Sequence, residues 1–190
     1  MENNIHNILD TFGKIVYTHK THEKAIERIE KKISRLKVFQ IILLSLTTVG
    51  VASSFTDVLS PLISNTSTIF HFVNIVVLII ALVATFLSVY DMSSSDRDIL
   101  YDHKNTAKQL LYIREQYLIL IADYKDSAVN TDELIKKRNE LLEKLTNLYN
   151  NAPSTTSKDY KKAQKSLKDE DEFTFEEGEV NRFLPPSMRG

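Results

Sequence analysis

The sequence has no cysteine and no tryptophan, and it has only four glycines and four prolines in 190 residues. Without cysteine the chain can form no disulfide and offers no thiolate nucleophile or thiolate metal ligand, which fits a reducing compartment. Alternating apolar and polar runs, which are typical of half-buried strands, are scarce. These absences predict an all-α protein.

No sign of charge dominates, and no catalytic motif occurs. The 24 lysines and arginines nearly balance 25 acidic residues, for a net charge of -1. Nucleic-acid-binding domains usually carry a basic excess, so we expect no direct nucleic-acid binding. The chain also lacks a glycine-rich phosphate loop, a serine nucleophile elbow and an HExxH pattern. We therefore predict that it is not an enzyme and uses no cofactor.

Charge is missing from two long apolar stretches. Residues 38–56 contain no ionisable side chain, and residues 58–90 contain no Asp, Glu, Lys or Arg. A bilayer core about 30 Å thick needs roughly 20 predominantly apolar residues in a helix. Segments 38–59 and 69–90 meet that length and predict a two-helix transmembrane hairpin, with long cytoplasmic helices before and after it.

Basic residues flank these segments on one side only. Before the first segment lies a basic collar, which comprises Arg28, Lys31, Lys32, Arg35 and Lys37. The connection between the two segments has no lysine or arginine. The positive-inside rule then predicts an inner-membrane, multi-pass protein with both termini in the cytoplasm. The collar could contact anionic lipid headgroups, or it could only determine topology.

The flanking segments have helical periodicity. Apolar residues recur at three- and four-residue spacing from Ile5 to Leu36, and a second amphipathic stretch follows Ser95. Thr131 is the predicted cap of a further helix, in which Leu134, Leu141 and Leu148 are seven residues apart. This short stripe is compatible with packing on neighbouring helices, which we favour, or with a coiled coil. We predict an effector domain at 1–152 and a mixed-charge tail at 153–190, which is flexible or binds a partner.

Small polar residues inside the apolar segments are the candidate site. Six of them are candidates for lining a pore or for packing helices together: Ser45, Thr48, Thr56, Asn74, Thr85 and Ser88. The first hypothesis requires an oligomer with weakly polar walls, and the second requires only close helix approach and hydroxyl hydrogen bonds. His19 and His22, one turn apart, could bind a metal together with His103, but exposed histidines are usually only solvated. We therefore predict no metal site.

The architecture resembles the SLATT families, which are two-helix membrane effector domains of bacterial nucleotide-signalling and anti-phage systems. The resemblance covers roughly residues 5–155. It rests on the helix with Ala25, Arg28 and Arg35, on the apolar hairpin, on the long helix with His103 and Arg114, and on the helix that ends near Pro153. Among these families the chain is most similar to the subfamily that accompanies reverse transcriptases.

This resemblance implies a pore-forming effector that disrupts the inner membrane in abortive infection. The implied partners are membrane lipids, other copies of the chain in a homo-oligomer, and a separate sensor or enzyme, such as a nucleotidyltransferase or reverse transcriptase encoded nearby. The alternative is a membrane-anchored scaffold that recruits a soluble partner to the inner leaflet. A pore requires an oligomer because one hairpin cannot enclose a channel.

Overall fold

The computed structural model describes residues 2–54 and 67–168, and every regular element in those residues is an α-helix. The all-α prediction is therefore confirmed. The five helices are α1 (Glu2–Ser54), α2 (Ser67–Ser93), α3 (Asp96–Lys125), α4 (Thr131–Asn151) and α5 (Ser157–Lys168).

The described residues divide into two compact units. Unit 1 contains the chain up to Arg28 and the chain from Ile99 onward, and unit 2 contains Ile29–Asp98. Helix α1 contributes to both units, and α2 belongs to unit 2.

The core of unit 1 is built by three helices. The α4 leucines Leu134, Leu141, Leu145 and Leu148 are all buried. They form one apolar cluster with Ile8 and Ile15 of α1 and with the α3 residues Leu110, Ile113, Tyr117, Leu120 and Ile121. Burying one such side chain contributes about 1.5–3 kcal/mol. The heptad-spaced leucines of α4 thus pack on neighbouring helices of the same chain.

The loop between α3 and α4 is shaped by local polar contacts. Ser127 adopts a left-handed backbone conformation with φ of 56°, just after α3 ends at Lys125. Asn130 then caps α4, because its side-chain oxygen accepts a hydrogen bond from the Glu133 backbone amide at 2.9 Å. The prediction that Thr131 is the cap was wrong by one residue. Thr131 is instead the first helical residue, since the asparagine oxygen reaches the third amide of the helix.

Helix α5 lies in the segment that the sequence analysis treated as a tail. Thr156 and Asp159 form a reciprocal capping box. The Thr156 amide donates to Asp159 Oδ2 at 3.0 Å, and the Asp159 amide donates to the Thr156 hydroxyl at 3.3 Å. Asp159, Ala163 and Ser166 are buried. Residues 157–168 are therefore helical, and the division of the chain at residue 152 stays a prediction.

Unit 2 brings α1 and α2 into contact within the two apolar segments. The Gln40 side-chain amide donates to the Leu87 carbonyl at 3.0 Å, and Leu43 and Ala84 are both buried. Next to the apolar part, Lys32 Nζ lies 2.7 Å from Asp96 Oδ2. The connection at residues 55–66 lies outside the described residues, so the hairpin itself stays a prediction.

Candidate functional site

Unit 2 exposes a large apolar surface. On α1 the side chains from Val38 to Leu46 are mostly exposed, with Ile41 at 62%. On α2, Phe72, Leu82 and Phe86 are 67%, 62% and 69% exposed. Monomeric soluble proteins rarely expose contiguous apolar patches of this kind. These side chains therefore need an apolar environment.

One described helical stretch, Ile75–Lys125, contains a segment long and apolar enough to cross a membrane. Only 6% of that apolar segment is buried inside the protein, whereas the core helix of a soluble protein would be mostly buried. The stretch begins within the second predicted span, 69–90. The first predicted span, 38–59, runs beyond Ser54 into residues outside the described part.

The candidate polar residues in the apolar segments bond to their own helices. Ser45 donates to the Ile41 carbonyl at 2.8 Å, and Thr48 donates to the Leu44 carbonyl at 2.8 Å. On α2, Thr85 and Ser88 make the same four-residue contact, each at 2.9 Å. Ser45, Thr48 and Thr85 are exposed, and Ser88 is half-buried. Thr56 and the side chain of Asn74 lie outside the described residues.

Two members of the basic collar form ion pairs with carboxylates of the same chain. Arg28 is bound to Asp159 and Lys32 to Asp96, so these two cations are held by carboxylates. Lys31, Arg35 and Lys37 are exposed. Contact between the collar and lipid headgroups stays a prediction, and these three residues are the members best placed to make it.

A buried ion pair ties α5 to α1 within unit 1. Arg28 Nε and Nη2 donate to Asp159 Oδ1 and Oδ2 at 2.9 and 3.1 Å, a bidentate geometry. Asp159 is fully buried, and the Arg28 side chain is 38% exposed. Burial opposes ionisation of Asp159, but hydrogen bonds from Arg28 and Thr156 outweigh it, so the pKa of that carboxyl is lowered.

Beside this ion pair, two buried histidines face each other. His22 Nδ1 and His103 Nδ1 are 2.9 Å apart, which requires one ring to donate and the other to accept. His103 Nε2 is buried and has no hydrogen-bond partner in the part of the chain that the structure describes. The described residues contain no group of three or more His, Cys, Asp or Glu arranged to hold a metal ion. The pair is thus a hydrogen-bonded contact between α1 and α3.

Both rings are held neutral. Burial, with smaller contributions from His103 and His19, lowers the pKa of His22 to about 4. Burial and the Arg28 guanidinium lower the pKa of His103, although Asp159 and Asp102 act in the opposite direction. Burial also lowers the pKa of His19. Protonating this cluster would therefore destabilise the contact between α1 and α3.

Sequence reasoning missed the Asp159 contact because α5 was not predicted. The signal was present in the Thr-x-x-Asp pattern at 156–159, which is a capping arrangement after Pro153. The contact between His22 and His103 was predicted only in part. The approach of His103 was considered for a metal, but the hydrogen bond between the rings depends on how the two helices pack.

Comparisons with known proteins agree with the membrane character of this surface. No curated protein and no solved structure matches the chain. A family model does match, over residues 5–179, and it describes a two-transmembrane effector domain associated with SMODS and SLOG proteins. The chain therefore belongs to the SMODS and SLOG-associating 2TM effector domain family 4.

Proposed function

We propose that this membrane protein is an effector of a bacterial anti-phage nucleotide-signalling system and that it oligomerises into a pore in the inner membrane. Membership of a two-transmembrane effector family supports the general role. The pore, the oligomer, the abortive-infection outcome and the cytoplasmic position of both termini are the proposal. The separate sensor or enzyme that triggers the pore is proposed from the association named in the family description.

The exposed apolar surface of unit 2 is the observation that carries this proposal. Within that unit only Leu43 and Ala84 are buried among the apolar side chains of the two candidate spans that the structure describes. Two helices cannot enclose a channel, so the remaining surface must contact lipid, other copies of the chain or both. Small residues such as Ala84 let helices approach closely, which favours assembly between copies.

The hydroxyls of Thr48 and Thr85 can line a water-filled pore. Each donates its hydrogen to a backbone carbonyl of its own helix. A hydroxyl that donates in this way keeps two acceptor lone pairs, so it can still bind water. Neither described segment places an Asp, Glu, Lys or Arg among these residues. The pore that we propose is therefore weakly polar and poorly selective.

Dye release from liposomes tests the proposal. The purified full-length chain, reconstituted at increasing density in vesicles containing anionic lipid, should release a trapped dye when the product of a neighbouring gene is added. The double substitution Thr48→Leu and Thr85→Leu should lower release at least tenfold. A matched variant, Leu46→Ile with Leu82→Ile, changes two exposed apolar positions and should release dye normally. Absence of release at every density contradicts the pore.

A membrane-anchored scaffold is the second candidate. It is favoured by the hydrogen bonds of Ser45, Thr48, Thr85 and Ser88, which satisfy the hydroxyl donors inside each helix without water. Replacing both apolar segments with an unrelated transmembrane hairpin separates the candidates. Cellular protection that survives the exchange supports the scaffold, and protection that is lost together with dye release supports the pore.

A further inference from the structure

A groove with a volume of about 550 Å³ lies between α3 and α4, within unit 1. Its lining includes Ile113 and Leu148, whose side chains are 5% and 7% exposed and belong to the apolar core of that unit. Small-molecule sites in proteins usually enclose about 300–1,000 Å³ and are lined by apolar residues with a few polar groups among them. The groove therefore has the size and the apolar base of a small-molecule site.

Two lysines lie on opposite walls of this groove. Lys108 comes from α3 and Lys144 from α4, and both side chains are exposed. Among the described residues that line the groove, none is an Asp or a Glu. A lysine ammonium is a compact point charge with three hydrogen-bond donors and no acceptor. The groove is therefore electropositive and favours an anionic ligand.

The α3 wall also carries an exposed aromatic ring. Tyr112 is 59% exposed, although it lies next to the core residue Ile113 in the chain. It follows Lys108 by four residues, so the two side chains are neighbours on one face of the helix. Proteins often hold a nucleobase by stacking it on an aromatic side chain of this kind. A ligand that places an anion near Lys108 and a planar ring near Tyr112 would use both groups.

Carboxamides line the α4 wall. Asn147 and Asn151 are one turn apart, and Asn151 Nδ2 donates to the Asn147 backbone carbonyl at 2.8 Å. This hydrogen bond uses one of the two Nδ2 hydrogens and leaves the Asn151 Oδ1 acceptor for another partner. Gln109 adds a third carboxamide from α3. Each carboxamide offers a donor beside an acceptor, which matches the polar edge of a nucleobase.

We propose that this groove binds a small organic phosphate with a planar ring, which is the chemistry of a free nucleotide. Lys108 and Lys144 bind the phosphate from the two helices. The Tyr112 ring stacks on the planar ring, and the carboxamides of Asn147 and Asn151 hydrogen-bond to its polar edge. Binding at this groove does not depend on the pore proposed above.

Two other ligands share part of this chemistry. Inorganic phosphate would contact the two lysines but would leave the Tyr112 ring and the apolar side chains of Ile113 and Leu148 without a partner. A phospholipid headgroup likewise carries a phosphate without a planar ring. The combination of cations, an aromatic ring and an apolar base therefore favours the ring-bearing ligand, and a binding measurement separates the three.

Equilibrium dialysis of the full-length chain in a neutral detergent tests the proposal. AMP, GMP, CMP and UMP are measured separately, and we expect at least one to bind saturably at one molecule per chain. Inorganic phosphate, glycerol phosphate as a lipid headgroup, and the matching nucleoside should each bind at least tenfold more weakly. Absence of saturable binding for all four nucleotides up to about 1 mM overturns the proposal. Equal affinity for inorganic phosphate also overturns it, since the groove would then bind an adventitious ion only.

Charge variants locate the phosphate. Lys108→Gln with Lys144→Gln should weaken nucleotide binding at least tenfold. The control pair Lys125→Gln with Lys136→Gln changes exposed lysines of the same two helices that do not line the groove, and it should weaken binding less than twofold. Equal losses in the two pairs contradict the proposal, because they would assign binding to the overall charge of the chain.

The aromatic contact has its own control. Tyr112→Leu should weaken nucleotide binding at least fivefold and leave the affinity for inorganic phosphate unchanged. Tyr101→Leu changes a tyrosine that is 70% exposed on the same helix, and it should leave both affinities unchanged. A Tyr112 variant that binds the nucleotide as tightly as the natural chain would overturn the stacking contact.

Discussion

Arg28 and Asp159 are 131 residues apart in the chain and form a bidentate ion pair, with nitrogen–oxygen distances of 2.9 and 3.1 Å. The pair fastens α5 to α1, and the carboxylate also belongs to the capping box that starts α5. One side chain thus serves both the local start of a helix and its attachment to the core.

Removing the arginine should destabilise unit 1 strongly. Arg28→Met leaves a buried carboxylate without its cation, which costs about 3 kcal/mol, the lower end for buried pairs because the guanidinium is 38% exposed. Chemical unfolding in detergent measures this loss. Arg35→Met, an exposed site on the same helix, is the control and should change the free energy of unfolding by less than about 0.5 kcal/mol. Equal effects would contradict the buried pair.

The histidine cluster should make the protein acid-sensitive. With a pKa near 4 in the folded chain and an ordinary value of 6.5 in the unfolded chain, His22 binds its proton mainly in the unfolded state between those values. The stabilisation is complete above pH 6.5 and is lost as the pH falls toward 4, by about 2 kcal/mol at pH 5. Thermal unfolding at pH 7.5 and pH 5.0 measures it.

Substituting both rings should flatten this pH dependence. His22→Gln with His103→Gln keeps hydrogen-bonding groups in place but removes the titration, so the loss between pH 7.5 and pH 5.0 should fall by more than half. His6→Gln, at an exposed position of α1, should retain the full dependence. A double variant as acid-sensitive as the natural chain would assign the effect to other groups.

Two leucines of α4, Leu134 and Leu142, should differ in their contribution to the free energy of unfolding. Leu134 is 1% exposed in the core, whereas Leu142 is 49% exposed. Leu134→Ala should lower the free energy of unfolding by about 2–5 kcal/mol, through lost burial and the cavity left behind. Leu142→Ala should cost less than about 1 kcal/mol. Denaturant titration of the two variants compares them, and similar losses would mean that Leu142 is covered in the assembled protein.

The side chain of Asn130, and not that of Thr131, should stabilise the start of α4. Asn130→Ala removes the acceptor for the Glu133 amide and should destabilise the protein by about 1 kcal/mol. Asn130→Asp preserves the acceptor and should be nearly neutral. Thr131→Ala, at the position first predicted as the cap, serves as the comparison, and a larger loss there than at Asn130 would reverse the assignment.

Single cysteines can determine the topology, since the chain supplies none of its own. Ser60→Cys, between the two predicted spans, should react with a membrane-impermeant maleimide in intact spheroplasts. Lys136→Cys should react only after the membrane is permeabilised. Labelling in the opposite pattern would contradict cytoplasmic termini.

Periodicity predicted α1, α3 and α4, because core residues must recur at helical spacing whatever they pack against. The buried leucines of α4 follow this rule. On α3, Leu110 and Ile113 are buried, whereas Leu111 between them is 39% exposed. The sequence pattern is compatible with a buried helix face that includes either Leu111 or Ile113. The position of the neighbouring helices decides which of the two is covered.

The sequence by itself determined that this chain is helical and carries segments suited to a bilayer, because a membrane-spanning helix needs about 20 apolar residues in a row and charged side chains are costly inside lipid. The tertiary structure decided which polar residues meet. Arg28 with Asp159, and His22 with His103, join positions separated by 131 and 81 residues. No local spacing encodes such contacts, since they arise only when α1, α3 and α5 pack together.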